Sequence, residues 1–73
     1  MFKELETVVL TKDIPQHGLK EGDIGTIVHL HPKGGYEVEF VTLRGDTVAV
    51  VSLAASDIRT IADREIPHAR VVA

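Results

Sequence analysis

The plainest pattern in the chain is the residue-by-residue alternation of Tyr36-Glu37-Val38-Glu39-Phe40-Val41-Thr42. A period of two predicts a half-buried β-strand, with Tyr36, Val38 and Phe40 inward and Glu37 and Glu39 outward. Upstream, Thr7-Val8-Val9-Leu10-Thr11 is short and β-branched and reads as a first strand. Ile24 to His31 reads as a second. Its residues Ile24, Thr26, Val28 and Leu30 share one face, and Ile24, Val28 and Leu30 are the expected anchors of the core. Gly25, Ile27, His29 and His31 then share the other face. Thr47-Val48-Ala49-Val50-Val51-Ser52-Leu53 is a fourth strand, apolar on both faces. Its second face therefore needs cover, from the curvature of the sheet or from another subunit.

Turn chemistry separates these runs. Pro32-Lys33-Gly34-Gly35 predicts a hairpin, and Leu43-Arg44-Gly45-Asp46 a second tight turn. Residues 12–23 form a long loop in which Ile14-Pro15 ends regular pairing and Gly18 and Gly22 bend the backbone. Met1 to Glu6 is a polar lead-in with room for one helical turn. Ala54-Ala55-Ser56-Asp57 reads as a single helical turn, followed by a short strand, Ile58 to Ile61. The order is strand, long loop, three strands joined by tight turns, helical turn, short strand. That is the order of an SH3-like barrel, so the expected fold is all-β and five-stranded. The alternative, an OB barrel, usually needs a helix between strands three and four, where only Leu43 to Asp46 is available. The barrel is assigned to residues 1–61, and residues 62–73 form a C-terminal tail expected to dock on the barrel or on a partner.

At 73 residues the chain is near the lower limit for a self-sufficient core, and without cysteine neither disulfides nor a zinc-thiolate cluster can staple it. Packing, alone or with self-association, must supply the stability. The formal charge is −3, no third of the chain is net positive, and aromatic residues are only 4%. A nucleic-acid binder ordinarily shows the opposite balance. No apolar run approaches the ~18 residues of a membrane span, and Met1-Phe2-Lys3-Glu4 does not begin a signal peptide. The expectation is a cytoplasmic protein with no membrane partner.

The sharpest polar constellation is His29 and His31 facing Glu37 and Glu39 across the predicted hairpin. Two imidazoles and two carboxylates are a donor set that suits zinc. The same four residues also make an ordinary solvated cross-strand ladder, and that reading is preferred. No catalytic group, cofactor or resident metal is expected. A barrel of this size hardly encloses a water-excluding pocket, Ser52 and Ser56 lack nucleophile-elbow spacing, and no glycine pair opens a long helix as a phosphate loop would. Arg44-Gly45-Asp46, though it spells an adhesion tripeptide, is turn chemistry. His17 in the long loop, with Ile66, Val71 and Val72 in the tail, are the residues expected to form a partner-binding surface. The tail would either pack back over the sheet or add to a partner's strand edge.

Taken together, Thr7–Thr11, Leu19-Lys20-Glu21-Gly22-Asp23-Ile24-Gly25-Thr26-Ile27-Val28, Tyr36–Phe40 and Thr47–Val51 resemble the bacterial domain-of-unknown-function 4926 family. The resemblance runs through Glu65-Ile66-Pro67-His68-Ala69-Arg70. It implies a compact β domain without an assigned biochemical role, and a weak link to two-gene, toxin–antitoxin-like pairs. Gly22-Asp23-Ile24-Gly25-Thr26-Ile27-Val28 is similar to the turn-into-strand pattern of KOW elements but lacks their flanking basic residues. The expected function is a non-catalytic protein-interaction module, the neutralising or accessory member of such a pair, with a protein partner or a second copy of itself. A nucleic-acid-binding KOW-like module stands second, and divalent-metal binding on the His/Glu face third.

Overall fold

The computed structural model describes residues 2–72, so Met1 and Ala73, the ends of the expected lead-in and tail, lie outside it. Five antiparallel strands form one sheet: β1 (Thr7–Leu10), β2 (Ile24–Leu30), β3 (Tyr36–Val41), β4 (Thr47–Leu53) and β5 (Ile58–Thr60). Their order is β4-β3-β2-β1-β5. Two 3₁₀ turns, Pro15–His17 and Ala55–Asp57, are the regular helical pieces of the described residues, and the second leads directly into β5. The fold is all-β and its order is that of an SH3-like barrel. Strands β1, β2, β3 and β5 each end one residue earlier than the residue pattern predicts.

The sheet curls on itself. Ile58 at one end and Leu53 at the other belong to the same buried cluster as Val8, Leu10, Ile27, Val38 and Phe40. No hydrogen-bond ladder joins β4 to β5, so curvature and packing close the barrel. The long loop closes one end. Its Ile14 and Leu19 pair through backbone hydrogen bonds and bury both side chains in the core. At the start of the chain a turn at Lys3–Glu6 brings the Leu5 N–H to the Ile27 carbonyl at 2.7 Å, and Phe2 packs edge-on against Tyr36 at 5.4 Å.

The inward face of β2 corrects one expectation. Gly25 lies opposite Phe40 and Ile27 opposite Val38. Directly paired residues share a face, so the buried residues of β3 make Gly25 and Ile27 the inward ones. Ile27 is fully buried, whereas Ile24 is 37% and Leu30 39% exposed and Val28 is only half-buried. The three expected anchors therefore contribute no fully buried side chain. A β-bulge at Val28 follows: the register passes from Ile27↔Val38 to His29↔Glu37. The extra residue flips the alternation, which places Ile27 in the core and His29 on the outer surface of the same strand.

Gly25 sits where any side chain would force its neighbours to move. A Cβ there would lie 2.6 Å from Val38 Cγ1 and 2.9 Å from Phe40 Cε2. Its role is to let the Phe40 ring cross the backbone of β2.

A candidate interaction groove between loop and tail

Among the described residues beyond β5 there is no regular structure, and Ala62 to Val71 are all exposed. Two arginine–carboxylate pairs nevertheless hold this tail in place. Close to the barrel, Arg59 donates through Nη1 and Nη2 to the two Glu65 oxygens at 2.8 and 2.6 Å, and Glu65 also accepts from the Ala62 N–H at 2.7 Å. The Arg59 guanidinium and then the Ala62 amide bring the Glu65 carboxyl down to about 2. Further along, Arg70 returns to the long loop. Its Nε and Nη2 donate to Asp23 Oδ1 and Oδ2 at 2.8 and 2.5 Å, and Nη2 also donates to the Gly18 carbonyl at 2.9 Å.

The loop is built to present these acceptors. Gly18 adopts a left-handed conformation, φ +69°, as it ends the 3₁₀ turn, a backbone state that favours glycine. The Asp23 backbone carbonyl accepts from Leu10 and its side chain from the Lys20 N–H, at 2.8 Å each. Asp13 braces the loop from outside by accepting the Glu21 N–H at 2.8 Å. Burial pushes the Asp23 carboxyl up, but the Arg70 guanidinium and the Lys20 amide together outweigh it and hold the group below its usual range.

Between this loop, the start of β2, the end of β3 and the tail lies an open groove of about 500 Å³. Its walls are aliphatic: Leu19, Ile24, Val41, Leu43 and Val48, with Phe40 at the floor and Val71 and Val72 along the tail side. Leu43 is 92% exposed and Val41 48%. A second bulge, at Val48 opposite the Phe40–Val41 step, belongs to the same wall.

Of the residues expected to meet a partner, Val71 and Val72 line this groove. His17 is exposed one residue before the Gly18 carbonyl that Arg70 engages. Ile66 does not reach the groove and is 88% exposed. The tail thus packs back on the loop side of the barrel and leaves Val50, on the outer face of β4, 51% exposed. Arg70, Asp23 and Leu43 were not legible as site residues. Arg70 and Asp23 are 47 residues apart, and no local pattern announces such a pairing. Leu43 reads from sequence only as part of a turn.

The His/Glu row lies at the opposite end of the β2–β3 hairpin. His31 Nε2 and Glu37 Oε2 are 2.6 Å apart, and Ser52 Oγ donates to the same Glu37 oxygen. First Ser52 and then His31 hold the Glu37 carboxyl below its usual range. The His29 and His31 rings meet edge to face at 5.2 Å. Glu39 is engaged elsewhere, accepting from Thr47 Oγ1 at 2.7 Å. Among the described residues no three His, Cys, Asp or Glu side chains converge as metal ligands. No helix among them is long and apolar enough to cross a membrane.

Fold and groove together define a small all-β domain of SH3-like order with an open aliphatic groove strapped by its own C-terminal tail. The chain belongs to the family described as Domain of unknown function (DUF4926), whose model matches residues 4–60. The match stops short of the Glu65–Arg70 segment into which the resemblance extends, so barrel and loop lie inside it and the Arg70 strap beyond it. No curated protein and no solved structure matches the chain.

Proposed function

We propose that this protein is a non-catalytic protein-interaction module of the bacterial cytoplasm whose partner docks in the loop–tail groove. The observation that carries the reading is the aliphatic lining of that groove on a domain with so little surface. Leu43, Val41 and Ile24 stand exposed side by side at its rim, and contiguous exposed apolar side chains on a small domain mark interaction sites. The negative net charge favours a protein partner over nucleic acid. In a two-gene pair the module would be the neutralising or accessory member, because what it offers is an apolar surface.

The test is co-purification of the tagged full chain from its native host, beside the variant Leu43→Asp. Leu43 is almost fully exposed, so the substitution leaves the fold intact while placing a charge on the groove rim. A stoichiometric protein retained by the native chain and lost with Leu43→Asp supports the reading. Equal recovery with both chains, or no stoichiometric protein at all, counts against it.

A further inference from the structure

We infer that the loop side of the groove is an arginine-recognition site for an extended segment of a partner protein, and that the chain's own tail occupies it as a competing ligand. This rests on the interaction-module reading above and specifies the chemistry of the partner. The tail itself supplies the template. Arg70 makes a two-pronged contact with Asp23 and a third bond to the Gly18 carbonyl, with the Asp13 carboxylate adding to the field at the guanidinium. A planar fork matched to a carboxylate and a carbonyl is a geometry that arginine meets and lysine does not.

The rest of the tail is held poorly. Ile66, outside the groove, is 88% exposed, Val71 is 91% exposed, and the groove beside Val71 stays open. The guanidinium is thus well bound, while no described side chain fills the space between the apolar walls of Leu19, Ile24, Leu43 and Val48. A foreign segment with an arginine and larger aliphatic neighbours would keep the polar contacts and add apolar ones. A second copy's tail would add none, since it repeats contacts already made within one chain and pays the cost of association. The favoured occupant is therefore a different protein presenting an extended arginine-bearing segment.

The variant Arg70→Ala vacates the site while keeping every loop residue unchanged. The probe is a fluorescent peptide with the sequence of residues 65–73, measured by anisotropy. Arg70→Ala is expected to bind it saturably, and the native chain about ten-fold or more weakly, because its tethered tail competes at high effective concentration. The same peptide with its arginine replaced by alanine should lose binding to Arg70→Ala. Asp23→Asn in the Arg70→Ala background should also lose it, and the peptide control holds even if that variant folds poorly. Absence of saturable binding, or equal binding of the arginine-free peptide, overturns the proposal. Concentration-dependent dimerisation of the native chain in sedimentation, abolished by Arg70→Ala, would assign the site to a second copy and overturn the choice of partner. Failure of the peptide with retained, Leu43-dependent capture of a host protein would remove the arginine site and leave the interaction module standing.

Discussion

Arg70 and Asp23, 47 residues apart, form a two-pronged ion pair that ties the end of the chain to the loop between β1 and β2. Their side chains are 29% and 18% exposed. With the Arg70 bond to the Gly18 carbonyl, this pair fastens the tail to the loop beyond the Arg59–Glu65 contact. Tail and barrel should therefore respond separately to its loss. In Arg70→Ala, amides of residues 66–72 should exchange faster and proteases should cut there sooner, with the barrel's melting temperature nearly unchanged. A large fall in melting temperature would show that the tail is part of the cooperative unit.

Ile27 has the opposite character. It is fully buried at the centre of the core, so Ile27→Ala should cost about 2–5 kcal/mol. For a domain this small that is a large share of the total stability. Urea denaturation should show the midpoint falling, or the variant already unfolded without urea. Ile24→Ala, at a half-exposed position once expected to anchor the core, should cost much less.

Gly25→Ala tests the close crossing of Phe40. The added methyl would meet Val38 and Phe40 at distances that require both to move. Overpacking of this kind costs about 1–3 kcal/mol. Thermal denaturation should register the loss, and Phe40→Leu combined with Gly25→Ala should recover part of it by making room.

Acid should weaken the protein through its paired carboxylates. Asp23, Glu37, Asp57 and Glu65 are all held below their usual range, Glu65 to about 2. A carboxyl depressed in the folded state binds protons more readily in the unfolded one, so its contribution is complete above the unfolded value and fades as pH falls towards the folded one. For Glu65 that window runs from 4.5 down to about 2. Stability should be level above about pH 5 and decline below it, with the tail released before the barrel unfolds. Proteolysis and circular dichroism across this range would separate the two events.

Zinc should find no site on the hairpin. His31 and Glu37 already face each other, and Glu39 is bonded to Thr47. Calorimetric titration of the full chain should give no saturable heat. A stoichiometric heat that disappears in His29→Ala would reverse this expectation.

The strands were legible because each is bounded by turn residues that suit few other structures, as at Pro32–Gly35 and Leu43–Asp46. The inward face of β2 was not. Its even positions are the more hydrophobic, yet the pairing of Gly25 with Phe40 and Ile27 with Val38 overrides that count. The bulge at Val28 leaves no mark in the residue pattern, although it explains how Ile27 and His29 face opposite ways. The groove depends on contacts between the loop, the Leu43 turn and the tail, which are distant in the chain. Composition announced an apolar tail but could not say that an arginine would seat it.

The tail is strung between two charged fastenings, Arg59–Glu65 and Arg70–Asp23, with Ile66 exposed in the interval between them. Mobile ions weaken the more exposed Arg59–Glu65 pair most and the partly buried Arg70–Asp23 pair less, while scarcely affecting a buried apolar core. Ionic strength thus acts on the strap and spares the barrel. Rising salt therefore loosens the strap beside the open groove even as it strengthens the attraction of the aliphatic walls for an apolar segment.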